Sequence, residues 1–328
     1  MSIRRAAILA LSAALILAGC ARKPAAADQV LKFSIVPAED QASMSRVWQP
    51  LLDDLQKQTG LKVQPSFASN YMGMIEAMRF NQVQVGWFSA LPALEAVNRA
   101  NAEVLGRIAD KGGTDLVYKS VLITRKDKRI TLDDVLKCGK RYNFGLGDPN
   151  STSGTLAPLA YLFAPRGIDP TDCFKTVRSS NHQANLLGVG YGTLDVATAN
   201  TVTLVYARRQ NPEIADRIQV IWTSPPLPES SILVRKDLDP AIKDKLKRFF
   251  VSYGTAQGAE GDHERKVLDG LTYGGFKPVD DGYLDPVRLM VASKDLAEAK
   301  HGRDQAKVAA AQAAFDAINA KPSAHAGG

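Results

Sequence analysis

Hydrophobic positions along this chain alternate between two periods. Residues 30–36 (Val-Leu-Lys-Phe-Ser-Ile-Val) are a short β-forming run stopped by Pro37, which predicts a strand. Trp48, Leu51, Leu52 and Leu55 then share one face of a helix that Gly60 ends. A second strand over 61–65, a helix carrying Met74, Ile75 and Met78, and a third strand over 83–88 follow. After a strand over 121–124 and a charged stretch over 125–129, residues 131–136 read as a short capped helix. The alternation resumes with strand 142–146, helix 154–163, strand 175–178, helix 183–188 and strand 194–197. Residues 231–234 form another strand, and 240–253 a helix with Ile242, Leu246, Phe249 and Phe250 inward. Residues 296–320 are Ala-rich and helix-prone, and 321–328 read as a frayed tail. This spacing predicts an α/β fold built on parallel sheets covered on both faces.

The N-terminus changes the picture of where the chain works. Arg4 and Arg5 precede an uncharged run, 6–19, that is too short to span a bilayer as a relaxed helix and reads as a secretion signal. It ends in Leu17-Ala18-Gly19-Cys20, which resembles the lipobox of bacterial lipoproteins and so implies lipid on Cys20 and cleavage just before it. The expected organisation is a signal over 1–19 and a lipidated tether over 20–28. About 300 residues remain, more than one compact unit usually holds, so two lobes are expected. Without Arg4 and Arg5 the 41 basic residues become 39 against 34 acidic, an excess of about +5. That surplus is diffuse and has no Lys/Arg block with interleaved aromatics, which argues against nucleic acid. Cys138 and Cys173 share an oxidising compartment and are expected to bridge, constraining the unfolded chain by roughly 3 to 4 kcal/mol. Neither has the spacing of a zinc site, and no metal or cofactor is expected.

The stretch that carries chemistry is Gly145-Leu146-Gly147-Asp148-Pro149-Asn150-Ser151-Thr152-Ser153-Gly154, between a predicted strand and helix. Ser151 is a good N-cap, and the N–H groups after it have no acceptor inside the helix. A phosphoryl oxygen there would meet amides, the hydroxyls of Ser151, Thr152 and Ser153, and the positive helix end, with no Lys or Arg needed. The same spacing also suits an ordinary capped helix after a Pro-Asn turn.

Seven segments, taken in order, resemble the phosphonate-binding periplasmic proteins, a family whose best-known member serves 2-aminoethylphosphonate uptake. They are 70–80 (Asn70-Tyr71 and Ile75 to Phe80), 86–88, 118–123, 148–154, 182–185 (His182-Gln183-Ala184-Asn185), 195–198 and 235–238, and they span nearly the whole mature chain. The resemblance implies a bilobed, type II periplasmic-binding-protein-like fold, with lobe 1 from 29–122 and 232–328, lobe 2 from 123–231, and two strands crossing near 121–124 and 231–234. Such a cleft closes by hinge motion. It implies that Ser151, Thr152 and Ser153 hold phosphoryl oxygens while Tyr71, Tyr118 and His182 close on the same group. It further implies an exported, monomeric binding protein on the periplasmic face that serves an ABC permease.

The chain departs from the family pattern at two positions. The carboxylates that grip an ammonium in relatives fall at Val202 and Ser230 here, and neither is acidic. A closed cleft leaves an ammonium unpaired only at a cost of several kcal/mol. The expected ligand therefore lacks a cationic tail, as methylphosphonate or phosphite does, with Val202 and Ser230 beside it. Glu229, one residue from Ser230, keeps a carboxylate within reach, and Gln183 stands where relatives often carry Glu. Three rival functions are a phosphoester hydrolase using Ser151, Thr152 and His182, a ligand-sensing module for a membrane receptor, and a phosphate binder. Nothing completes a catalytic group for the first, since His263, His301 and His325 lie in surface-like segments.

Overall fold

The computed structural model describes residues 30–113, 116–302 and 304–320. The signal, Cys20 and the tether, and the tail over 321–328, lie outside the described residues. The described residues form thirteen strands: β1 (Val30–Ile35), β2 (Lys62–Phe67), β3 (Val85–Phe88), β4 (Ala102–Ala109), β5 (Val117–Tyr118), β6 (Ser120–Arg125), β7 (Asn143–Leu146), β8 (Thr176–Ser179), β9 (Val196–Asn200), β10 (Ile218–Thr223), β11 (Leu227–Pro228), β12 (Ser231–Arg235) and β13 (Gly275–Lys277). They form a six-stranded sheet in the order β13-β4-β12-β3-β1-β2, a five-stranded sheet in the order β10-β6-β9-β7-β8, and a two-stranded ribbon of β11 and β5. Each large sheet is the centre of one lobe.

Neither large sheet is wholly parallel, which corrects the expectation from alternation. β1 runs parallel to β2 and β3, as βαβ units require. β12 lies antiparallel between β3 and β4 because the chain re-enters this lobe from the other one and comes in from the opposite end. In the second sheet β7 is parallel to β8 and β9, whereas β6 is antiparallel to β9 and β10. Residues 121–124 and 231–234 lie inside the two sheets rather than between them, and the antiparallel ribbon Val117–Tyr118 with Leu227–Pro228 occupies the passage.

Side-chain alternation explains how the sheets are covered. In β6, Val121 and Ile123 face a core with Leu186 and Val189, while Leu122 faces the opposite core with Phe144, Phe163 and Phe174. Phe144 stacks on Phe174 with ring centroids 4.1 Å apart. The expected bridge is present between Cys138 and Cys173, closing a separation of 35 residues beside this core. In the first lobe, Asp40 caps helix Gln41–Thr59 by accepting from the Ser43 N–H at 3.0 Å, and Gly60 ends it in a left-handed conformation. That helix buries Trp48, Leu51, Leu52 and Leu55, the face its periodicity predicts.

Two helices differ from expectation. The segment after Ser151 starts at Thr152, and its turns over Thr152–Leu156 and Leu159–Phe163 are wide, with π-type bonding. It bridges both cores: Leu156, Ala157 and Ala160 join the first lobe's and Leu162 and Phe163 the second's. The Ala-rich C-terminal stretch is two packed helices, Asp285–His301 and Gln305–Asn319, because Gly302 ends one and the Asp304 side chain caps the next.

Candidate functional site

Five helices begin at the C-terminal ends of strands and point their N-termini into one cleft. Asn70, Asn181 and Asn200 cap three of them, accepting from the N–H groups of Gly73, Ala184 and Thr203, each at 2.8 Å. Ser151 caps the fourth, accepting from the Gly154 N–H at 3.0 Å, and Ser89 stands at the start of helix Ala90–Arg99. Tyr71, Ser89, Ser151, His182 and Asn200, all at these helix starts, line a cavity of about 50 Å³ between the lobes. Each helix N-terminus contributes a partial positive charge and unpaired amides. Among the lining residues none is Lys or Arg, so the attraction for an anion comes from backbone dipoles and neutral donors.

Seven of the eight expected contact residues line this cavity: Tyr71, Tyr118, Ser151, Ser153, His182, Val202 and Ser230. Thr152 does not, because its hydroxyl accepts from the Leu91 N–H at 2.8 Å and ties the second lobe's helix to the first lobe. His182 Nε2 sits 3.2 Å from Ser153 Oγ and 3.4 Å from Ser151 Oγ. Burial holds the imidazole down at about 4, so it is neutral at physiological pH. Burial also raises the hydroxyls of Tyr71 and Tyr118, which stay protonated as donors. Asp148 does not line the cavity. Its carboxylate accepts from the Asn150 N–H at 2.8 Å and from the Tyr71 N–H at 3.3 Å, so it shapes the turn and reaches across the cleft.

Glycine geometry sets how closely the turn approaches the helix. A Cβ on Gly147 would stand 2.5 Å from Gly154 Cα, and one on Gly154 would stand 2.8 Å from Ser151 Oγ. The Gly147 N–H donates to the Gly154 carbonyl at 3.0 Å, closing the loop around the hydroxyl cluster. Closure between lobes rests on a few further bonds. The His182 N–H donates to Ala38 O at 3.1 Å, and the Asp40 N–H to Gln183 Oε1 at 2.8 Å.

Positions 202 and 230 bring no acid to the cavity, but two carboxyl groups line it: Glu229, which the sequence kept within reach, and Glu39, which it did not flag. Glu39 lies in the turn between β1 and helix Gln41–Thr59, and burial, with Asp40 beside it, pushes its carboxyl up to about 7. Glu229 is 4% exposed, and burial raises its carboxyl as well. Its Oε1 accepts from the Ser230 N–H at 2.8 Å and from Ser230 Oγ at 2.9 Å. Glu229 Oε2, His182 Nδ1 and Ser89 Oγ are buried without a partner among the described residues. Buried polar atoms are nearly always bonded in folded proteins, so three orphans around one cavity point to a polar occupant. Ser89, Asn200, Tyr206 and Tyr273 also line it and were missed from sequence; the cap positions of Ser89 and Asn200 after strands were the available signal. Trp87 completes a wall, packed against Trp48 at a tilt of 41° with centroids 5.0 Å apart.

Comparison with known proteins agrees with this geometry. The family described as ABC transporter, phosphonate, periplasmic substrate-binding protein matches residues 33–284. The phosphonates-binding periplasmic protein of Escherichia coli is 38% identical over 277 residues, covering 84% of this chain and 80% of that protein. A crystal structure of a binding protein component of an ABC phosphonate transporter from Pseudomonas aeruginosa superposes with a TM-score of 0.84 at 35% identity, covering 88% of this chain and 96% of the other. PhnD1 from Prochlorococcus marinus, in complex with methylphosphonate, shares the fold with a TM-score of 0.69 at 20% identity, covering 85% and 98%. The chain is therefore not an enzyme and belongs to the family of periplasmic substrate-binding proteins of phosphonate ABC transporters.

Proposed function

We propose that this protein captures a compact phosphonate without an amino group, of the methylphosphonate type, or phosphite, and delivers it to the permease of its importer. The observation that carries this reading is the convergence of helix N-termini and neutral hydroxyls on a cavity of about 50 Å³ with no basic lining residue. In this reading the PO3 head sits against Ser151, Ser153 and His182, where amides and hydroxyls match its oxygens, and Tyr71 and Tyr118 close over it. Val36, Ala38, Met44 and Val202 form the apolar part of the lining and suit a methyl substituent. Occupancy by methylphosphonate in the Prochlorococcus relative is in keeping with this choice.

A second reading, an aminophosphonate such as 2-aminoethylphosphonate, is favoured by Glu39 and Glu229, which could take an ammonium in place of the acids absent at 202 and 230. Calorimetric titration of the soluble domain with methylphosphonate, phosphite, phosphate and 2-aminoethylphosphonate decides between them. Methylphosphonate or phosphite is expected to bind tightest, and tightest binding by the amino compound would replace the first reading with the second. Attachment through lipid on Cys20 and a monomeric state complete the proposal. Mass spectrometry of the membrane-extracted protein is expected to show an acylated N-terminal Cys20 that Cys20→Ala abolishes, and light scattering a single chain; an unmodified Cys20 or a dimer would overturn these parts.

A further inference from the structure

The cavity has an unusual charge balance for an anion receptor. Its ionisable lining groups are Glu39, Glu229, His182 and the phenols Tyr71, Tyr118, Tyr206 and Tyr273, and no lining group carries a formal positive charge. Glu229 faces Tyr118 from β5, Tyr206 from helix Thr201–Gln210, and Tyr273, all near enough for its charge to act on their hydroxyls, and the Tyr283 hydroxyl donates to its backbone carbonyl at 3.0 Å. From β4, Arg107 has its guanidinium on the Ile108 carbonyl and is not in the lining. Ser230 occupies Oε1 twice over, which fixes the carboxyl and leaves Oε2 with no hydrogen-bond partner among the described residues. Tyr118 connects this carboxyl to the anion end, since its hydroxyl also interacts with Ser153 and Thr152.

A phosphonate titrates near neutrality between a monoanion that still carries P–OH and a dianion. Enclosing a dianion beside an ionised carboxylate, with no cation in the lining, places two like charges in a poorly screened space. One proton between them removes the conflict. We infer that Glu229 Oε2 and the bound phosphorus oxyanion share a proton in an O–H···O bond, which makes Glu229 the residue that reads the protonation state of the ligand. The proton arrives either on the ligand monoanion or on the carboxyl, and the two routes give the same complex. The lining thus accepts an oxyanion that can bring its own proton and, once Glu229 is ionised, rejects one of the same shape that is always fully ionised, such as an alkylsulfonate. Burial, which favours the neutral carboxyl, acts in the same sense.

This inference rests on the phosphonate reading above, and its test separates the two. Affinity for methylphosphonate and methanesulfonate is measured between about pH 5.5 and 9 on the wild-type protein and Glu229→Gln. Wild-type affinity for methylphosphonate is expected to fall about tenfold per pH unit once ligand and carboxyl are both ionised. Methanesulfonate is expected to be lost at lower pH than methylphosphonate. Glu229→Gln keeps a donor without the charge, so it is expected to bind at least tenfold tighter than wild type at the alkaline end, with a flatter profile. Parallel pH profiles for wild type and variant overturn the shared proton while leaving phosphonate binding intact. Absence of methylphosphonate binding at every pH instead removes the ligand reading on which it stands. If the variant does not fold, the wild-type comparison of the two ligands decides alone, and identical pH profiles for them count against the inference.

Discussion

Burial moves the protons of Glu39 and His182 in opposite thermodynamic directions, and both side chains line the same cavity. Folded Glu39 keeps its proton up to about pH 7, whereas the unfolded chain releases it near 4.5. Its contribution is therefore whole below 4.5 and is lost as pH rises through about 7, a swing of roughly 3 kcal/mol for a shift of this size. Folded His182 stays neutral down to about 4, while the unfolded chain protonates near 6.5, so stability is lost as pH falls between those values. The two slopes oppose each other where their windows overlap. Glu39→Gln removes the first and leaves the second. Relative to wild type, the variant is expected to gain roughly 3 kcal/mol between about pH 4.5 and 8 in urea unfolding. A difference between the two proteins that does not change with pH would show that Glu39 ionises as readily folded as unfolded.

At the scale of elements, the strand-turn-helix from β7 into the wide-turned helix is the part of the site where geometry leaves least room. Backbone atoms of Gly154 stand where a Gly147 side chain would go, and backbone cannot swing aside as a flexible side chain can. Gly147→Ala is expected to cost about 1 to 3 kcal/mol of stability by overpacking, and to weaken phosphonate binding because the helix start shifts with the turn. Urea midpoints and calorimetry on the same sample check both halves, and a variant with unchanged affinity would show that the loop does not set the position of the hydroxyls. This element was largely legible in sequence: the Ser151 cap after a predicted strand announced a helix start with exposed amides. The π-type turns were not, since wide and ordinary helical turns share the apolar spacing of Leu156, Ala160 and Phe163. Strand direction was hidden for a different reason. β12 has the same alternating apolar pattern whether it enters beside β3 parallel or antiparallel, and only the path of the chain through the other lobe decides. Glu39 escaped because an acid after a strand-ending Pro37 reads as exposed turn, and its burial depends on the second lobe closing over it.

For the whole molecule, the polar bonds that cross the cleft between the lobes are individually weak, which suits a protein that must release its ligand. Gln183 and Arg209 hold the cleft from outside the cavity: Gln183 accepts from the Asp40 N–H at 2.8 Å, and Arg209 Nη1 donates to Asp269 O at 3.4 Å. Bonds of this kind contribute about 0.5 to 1.5 kcal/mol each, too little to keep the cleft shut alone and enough to tilt an equilibrium that the ligand then completes. Because neither side chain lines the cavity, any effect of removing one on affinity must pass through the open and closed populations. Gln183→Ala is therefore expected to weaken phosphonate binding about 2- to 10-fold, mainly through faster dissociation, with a larger ligand-free radius of gyration in solution scattering. The ligand-bound radius is expected to match wild type, since saturation pulls both proteins to the closed form. An affinity within twofold of wild type, with the same ligand-free radius, would mean that the Asp40 contact forms only after capture and contributes nothing to the equilibrium between open and closed.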